Sequence, residues 1–171
     1  MLTPSMQNAL NAQVNAEYYS SYLYLSMAAY CEEINLKGFA NWFRVQVQEE
    51  MVHAMKFFEF IISRRGKVEL KAIDGPPTKW EQPLAIFEAS LEHEKSVSQR
   101  INKLADLAVK ESDHATHAFL EWFLTEQVEE EASVDQVVQQ LRLNNNNPAG
   151  LFMLDRELAQ RTFNPAPATA T

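Results

Sequence analysis

Four stretches of the chain place apolar residues in alternating steps of three and four, the spacing of one buried helix face. The first reads Leu10, Val14, Glu17, Ser21, Tyr24, Ala28, Cys31, and the second Phe43, Val47, Glu50, Ala54, Phe57, Ile61. The third reads Leu84, Phe87, Leu91, Glu94, Ser98, Ile101, Ala105, Ala108, and the fourth Leu120, Phe123, Gln127, Glu130, Val134, Val137, Leu141. Punctuation between the stretches predicts their limits. Thr3-Pro4-Ser5 is a helix start, with Pro tolerated in the first turn, and the periodicity runs to about Glu33. After a break at Asn35 to Gly38 the second helix is expected from about Phe39 to Arg65, stopping at Gly66. The third starts near Pro83 and reaches about Lys110; Ser112-Asp113 offers an N-cap for the fourth, which ends at Asn144-Asn145-Asn146-Asn147-Pro148. A short fifth helix over about 149–161 follows. Between the second and third helices, residues 67–73 alternate polar and apolar and Gly75-Pro76-Pro77 follows, which predicts an extended crossover over 66–82. Short turns make antiparallel neighbours, so the expected class is all-α: a four-helix bundle with one long crossover and a short fifth helix.

Every stripe is broken near its middle by a carboxylate: Glu17, Glu50, Glu94 and Glu130. His53 lies three residues after Glu50 and so one turn on along the same face; Gln127 precedes Glu130 by the same three. In an antiparallel bundle the four midpoints share a height, so the carboxylates converge. Buried carboxylates cost several kcal/mol each unless paired. No Lys or Arg stands in the middle of any stripe to pair with them. Two divalent cations would balance four carboxylates, and an oxygen-rich set with one imidazole suits iron or manganese. One such Glu alone is more often a solvated surface residue, and one such His a hydrogen-bonded core residue. The constellation carries the inference.

Composition narrows the alternatives. With 171 residues the chain suits one domain with a sizeable core, and only four of them are Gly, which favours helix. A net charge of −8 argues against nucleic acid and against an anionic membrane surface, while it suits the recruitment of cations. The single cysteine, Cys31, can build neither an intramolecular disulfide nor a Cys-based zinc or iron–sulfur site. Met1 to Gln13 shows no basic segment followed by an apolar run, so no signal peptide is visible, and no stretch approaches a membrane span; a cytoplasmic protein is the expectation. Residues 1–161 are expected to form one domain, and the Pro/Ala/Thr-rich residues 162–171 a disordered tail.

These motifs resemble the ferritins, and most of all the prokaryotic non-haem branch. The likeness runs from Leu2 to about Arg161. It rests on Asn15-Ala16-Glu17-Tyr18-Tyr19-Ser20-Ser21, Gln48-Glu49-Glu50-Met51-Val52-His53-Ala54, His93-Glu94 and Glu126-Gln127-Val128-Glu129-Glu130-Glu131. The resemblance implies a ferritin-like di-iron domain with one iron held by Glu17, Glu50 and His53 and a second by Glu50, Glu94 and Glu130, Glu50 bridging. Gln127 would hydrogen-bond close by. It implies a third iron near Glu49, Glu126, Glu129 and Glu130. Tyr24 matches a tyrosine that donates an electron or tunes the site, and Trp122 stands where an aromatic is often found beside it.

The implied activity is ferroxidase: Fe2+ is oxidised by dioxygen or peroxide, and Fe3+ is stored as a mineral in a homo-oligomeric shell of 24 subunits. The fifth helix, through Leu151, Phe152, Leu154 and Leu158, would pack around a four-fold axis of that shell; its simpler reading is a flap on its own bundle. Bacterioferritins carry a second Glu-x-x-His where this chain reads Gln127-x-x-Glu130, which favours a transit site over a stable cofactor. Met51 occupies the place of their haem-ligating methionine, yet no haem is expected. A rubrerythrin-like peroxidase would need a Cys-rich iron domain that Cys31 cannot supply. A DNA-protecting mini-ferritin would lack the fifth helix. A metal-free scaffold leaves four unpaired buried carboxylates unexplained.

Overall fold

The structure is a computed structural model that describes residues 1–145 and 147–164. It contains α1 (Pro4–Glu33), α2 (Lys37–Ser63), α3 (Pro83–Lys110), α4 (His114–Asn144) and α5 (Pro148–Leu158), with no strand among the described residues. The starts follow local chemistry. Thr3 Oγ1 accepts from Met6 N (3.1 Å) ahead of Pro4, and Asp113 accepts from Thr116 N (3.1 Å). Asn147 Oδ1 accepts from Ala149 N and Gly150 N at 3.0 and 3.2 Å. α1, α2 and α3 end alike: a residue in the left-handed region turns the chain, at Asn35 (φ 61°), Arg65 (φ 56°) and Ser112 (φ 54°). The next amide then returns to the last turn: Leu36 N to Cys31 O (2.9 Å), Gly66 N to Ile61 O and Asp113 N to Ala108 O (both 2.8 Å). Gly66 is therefore not the turning residue. A Cβ on it would meet Ile61 Cγ2 at 2.9 Å and Leu2 Cδ1 at 3.0 Å, so glycine serves a close approach there.

The chain after Gly66 is an extended crossover laid along α1. Asn11, buried, holds its start by donating to Lys67 O (2.9 Å) and accepting from Glu69 N (2.7 Å). Ser26 donates to Pro77 O (2.6 Å), and Tyr30 packs edge-on against Trp80. These contacts climb α1 from its start to its end. α3 therefore begins where α1 finishes and runs antiparallel to it, as the Thr3–Glu111 hydrogen bond at the far end also requires. α1 pairs with α2, α3 with α4, and α1 with α3. The chain thus forms the expected four-helix bundle with one long crossover and a short fifth helix.

The apolar interior is two clusters rather than one. One gathers Tyr24, Met27, Phe39, Phe43, Phe87, Val134 and Leu141; the other gathers Met6, Leu10, Phe57, Ile61, Ile101, Leu120 and Phe123. Each such side chain contributes about 1.5–3 kcal/mol of burial. A polar layer lies between them. The expected stripes of α1 and α4 match this interior throughout, and that of α2 matches except at Val47, which is half-buried while Gln46 is buried beside it. On α3 the fixed points Phe87, Glu94, Ile101 and Ala108 are buried, but Ser90, Val97 and Leu104 complete the face, while Leu91, Ser98 and Ala105 are only half-buried. The steps of three and four alternate there in the other order. Leu91 against Ser90 points to the wrong choice on hydrophobicity alone.

α5 starts one residue earlier than expected and ends at Leu158. Leu154 and Leu158 bury against the bundle, whereas Phe152, expected beside them, is 61% exposed next to Met153. Asp155 Oδ1 accepts from Gly38 N (2.7 Å) and Phe39 N (3.1 Å), supplying the cap that the start of α2 lacks locally. A Cβ on Gly38 would fall 1.6 Å from Asp155 O, so only glycine lets α5 sit this close. Residues 162–164 have no regular structure, and the rest of the expected tail, 165–171, lies outside the described residues. No described helix is long and apolar enough to cross a membrane.

Candidate metal centre

The polar layer is built by the residues that interrupted the stripes. Glu17, Glu50, His53, Glu94, Gln127 and Glu130 are all at most 5% exposed, and no Lys or Arg is buried among the described residues. Ligand atoms of Glu17, Glu50 and His53 all lie within 4.8 Å of one another, and so do those of His53, Glu126 and Glu130. Such separations let one ion touch three side chains. Glu94 belongs to neither group. The Tyr24 hydroxyl donates to its Oε1, and Gln127 Nε2 donates to its Oε2 at 3.1 Å. The carboxylates expected to share a second ion, Glu50, Glu94 and Glu130, thus face one layer without forming a three-ligand group in this arrangement.

Two glutamines complete the layer without having been anticipated. Gln13 Nε2 donates to Glu17 Oε1 at 2.8 Å, and Gln46 Nε2 donates to Glu130 Oε2 at 2.9 Å; both glutamines are buried. Gln13 precedes Glu17 by four residues and Gln46 precedes Glu50 by four, so both lie one turn back on the core side. That repeated Gln-x-x-x-Glu spacing was the available signal. Glu17 Oε2 and Glu50 Oε2 receive no hydrogen bond from a protein donor; His53 Nδ1 lies 3.4 Å from the latter. Buried oxygens without donors are costly.

The electrostatics follow. Burial first, then the Glu50 carboxylate, push Glu17 up to about 8. Burial, with Glu94 and Glu130 nearby, raises Glu50 well above the ordinary carboxylate range. Burial and Glu130 push Glu94 up to about 7. Tyr24, buried beside Glu94, is raised well above an ordinary phenol. Glu17, Glu50 and Glu94 thus resist ionisation while no cation is near, which suits residues grouped to hold a metal better than a structural ion-pair network.

The residues implied around a third ion are arranged unequally. Glu126 is half-buried and reaches His53 and Glu130. Glu49 is half-buried, but its Oε2 is held by Arg161 Nη2 at 2.7 Å. Glu129 is exposed and joins neither three-ligand group. Trp122 stands edge-on to His53 with ring centroids 5.5 Å apart, and Lys56 Nζ lies 4.3 Å over its ring. Met51 is 42% exposed.

Comparison with known proteins agrees with this geometry. The family profile of the ferritin-like domain matches residues 7–144. The chain belongs to the ferritin family. A bacterial non-heme ferritin of Bacteroides fragilis is 44% identical over 161 residues, covering 94% of this chain and all of that protein. One of Staphylococcus aureus is 37% identical over 163 residues, covering 95% and 98%. Among solved structures, an open pore ferritin of Archaeoglobus fulgidus superposes with a TM-score of 0.94 at 51% identity, covering 95% of this chain and 100% of that one. An engineered closed form of the same ferritin gives 0.95 at 52%, covering 96% and 100%. The polar layer of this ferritin-family chain is thus carried by a bundle whose match spans nearly its whole length.

Proposed function

We propose that the chain is an iron-storage protein with ferroxidase activity, oxidising Fe2+ at an asymmetric di-iron centre in the polar layer. One observation carries the reading. Glu17 and Glu50 each bury a carboxylate oxygen that no protein donor satisfies, their carboxylates group with His53 within 4.8 Å, and no Lys or Arg is buried among the described residues. The names of the relatives, non-heme ferritins, support both the cargo and the absence of haem.

On this reading one ferrous ion binds Glu17, Glu50 and His53. A second binds Glu50 and Glu130, with Glu94 turning from Tyr24 and Gln127 to join them. Glu50 is shared. Each ferrous ion gives one electron to dioxygen, which is reduced by two electrons to the peroxide level. Hard carboxylate ligands favour the ferric product, and water bound to it becomes acidic, so protons leave as ferric iron passes on to mineral. Gln13 and Gln46 each hold one carboxylate oxygen and so aim the other at the metal. Tyr24, its hydroxyl on Glu94, is placed to tune that ligand or to give an electron.

Storage needs an enclosure. The apolar surface left by Leu143, Phe152 and Met153, 88%, 61% and 72% exposed, is suited to burial between subunits of a homo-oligomeric shell, 24 in the reading favoured here. The test is to add Fe2+ in air and size the product. Iron is expected to turn ferric and co-elute with a particle many times the 19.6 kDa subunit. Ferric iron that precipitates apart from a monomeric or dimeric protein would overturn the storage reading.

A further inference from the structure

The side chain that reaches Glu49 comes from outside the four bundle helices. Arg161 follows α5, and three contacts fix it there. Its guanidinium lies 4.4 Å over the Trp42 ring, and Nη1 donates to Trp42 O at 3.5 Å. Asn41 Nδ2 donates to Arg161 O at 2.9 Å and to Leu158 O at 3.2 Å. From this perch Arg161 Nη2 meets Glu49 Oε2 at 2.7 Å, in an ion pair whose two side chains are only 23% and 21% exposed. Glu49 is close enough to Glu126 and Glu130 to feel both as like charges. The guanidinium thus stands at the edge of the His53, Glu126 and Glu130 group as a fixed monovalent cation.

We propose that Arg161 is a built-in competitor for metal: it occupies Glu49 and keeps that carboxylate out of a third metal site made with Glu126 and Glu130. The proposal rests on the di-iron reading of the polar layer and extends it. A guanidinium offers five N–H donors, matches a carboxylate in shape and cannot lose its charge, so a metal ion must displace it to gain Glu49 as a ligand. The first two ions bind Glu17, Glu50, His53, Glu94 and Glu130 and do not contend with Arg161. A third must break the Arg161–Glu49 pair. The segment after α5 therefore sets the threshold at which iron occupies the outer position.

The test is titration of the assembled protein with Co2+, redox-inert in this setting, followed by calorimetry and by cobalt d–d absorption. It compares wild type with Arg161→Met, which keeps an aliphatic stem over Trp42, and Arg161→Gln, which keeps a neutral donor for Glu49. Two equivalents per subunit are expected to bind alike in all three. The third is expected to bind roughly tenfold more tightly in both variants, as fits loss of one half-buried ion pair. The gain should vanish in Arg161→Met/Glu49→Gln, whereas Arg161→Lys, which keeps the charge but loses the planar fork over Trp42, should fall between the wild type and Arg161→Met. A third equivalent that is unchanged or weaker in both Arg161→Met and Arg161→Gln overturns the proposal. If the wild type fails to bind the first two equivalents, the di-iron reading itself falls, and this proposal with it.

Discussion

In the α1–α2 half of the polar layer, Gln13 donates to Glu17 Oε1, but Glu17 Oε2 and Glu50 Oε2 have no protein donor, and His53 stands beside the latter. In the α3–α4 half, Glu94 is held by Tyr24 and Gln127, and Glu130 by Gln46. The contrast separates two ways of burying carboxylates. The first half leaves two buried oxygens without donors, and the Glu50 carboxylate is near enough to push Glu17 up. The second half is held by hydrogen bonds that a metal must rearrange. On the proposed di-iron reading, the α1–α2 half is the place a first ion gains most, and the α3–α4 half sets the geometry of the second. The Glu-x-x-His pair of α2, Glu50 and His53, has no counterpart on α4, where Gln127 donates to Glu94 and Glu130 stands in the place of the histidine.

Several substitutions would break or sharpen that contrast. The largest effect is expected from Glu50→Ala, which removes the carboxylate common to both ions. Oxygen-dependent iron oxidation followed by absorbance should fall to the uncatalysed rate while circular dichroism keeps the helix signal. Oxidation at the native rate would mean that the halves do not share Glu50. Next come Gln13→Leu and Gln46→Leu, each of which frees one carboxylate from its donor. Loss of a residue that orients a ligand typically costs about 10- to 100-fold in metal affinity. Gln13→Leu should weaken the first equivalent and Gln46→Leu the second, and calorimetry that shows the reverse assignment would dissolve the distinction between the halves.

A smaller effect concerns pH. Glu17 is raised to about 8 and Glu94 to about 7, above the ordinary value of 4.5. The folded metal-free protein thus keeps protons that the unfolded chain has released, so their contribution to stability is full at low pH and declines as pH rises to about 8. Metal binding needs these groups ionised, so affinity should rise over the same range, with protons released. Melting temperatures of metal-free and metal-loaded protein should diverge from about pH 5 to about pH 8. Parallel curves would contradict the burial of unpaired carboxylates.

How much of this was legible in the chain depends on how strongly each residue breaks its pattern. Glu17, Glu50, Glu94 and Glu130 stand out because a charge in an apolar stripe is expensive, and all four are buried where the stripes place them. Gln13 and Gln46 do not stand out, because a neutral amide is common on any helix surface and its burial costs nothing visible until its partner is known. The face of α3 was ambiguous since Phe87, Glu94 and Ile101 fit either order of steps, and Leu91 outweighs Ser90 on hydrophobicity. Gly66 marked the end of α2, yet the left-handed turn falls on Arg65, a residue with no turn signature, while the glycine answers to Ile61 and Leu2 across the gap. Arg161 was invisible for a different reason. Its partner Glu49 lies more than a hundred residues away, and only the docking of α5 through Asp155 and Gly38 brings the two together.

The central claim is that the polar layer takes two ions with Glu50 between them. Crystals loaded anaerobically with Fe2+ and measured at the iron absorption edge test it directly. The account predicts two anomalous peaks per subunit, one among Glu17, Glu50 and His53 and one among Glu50, Glu94 and Glu130, with Glu50 contacting both. A layer without anomalous density at full loading, or peaks that Glu50 does not touch, would contradict it.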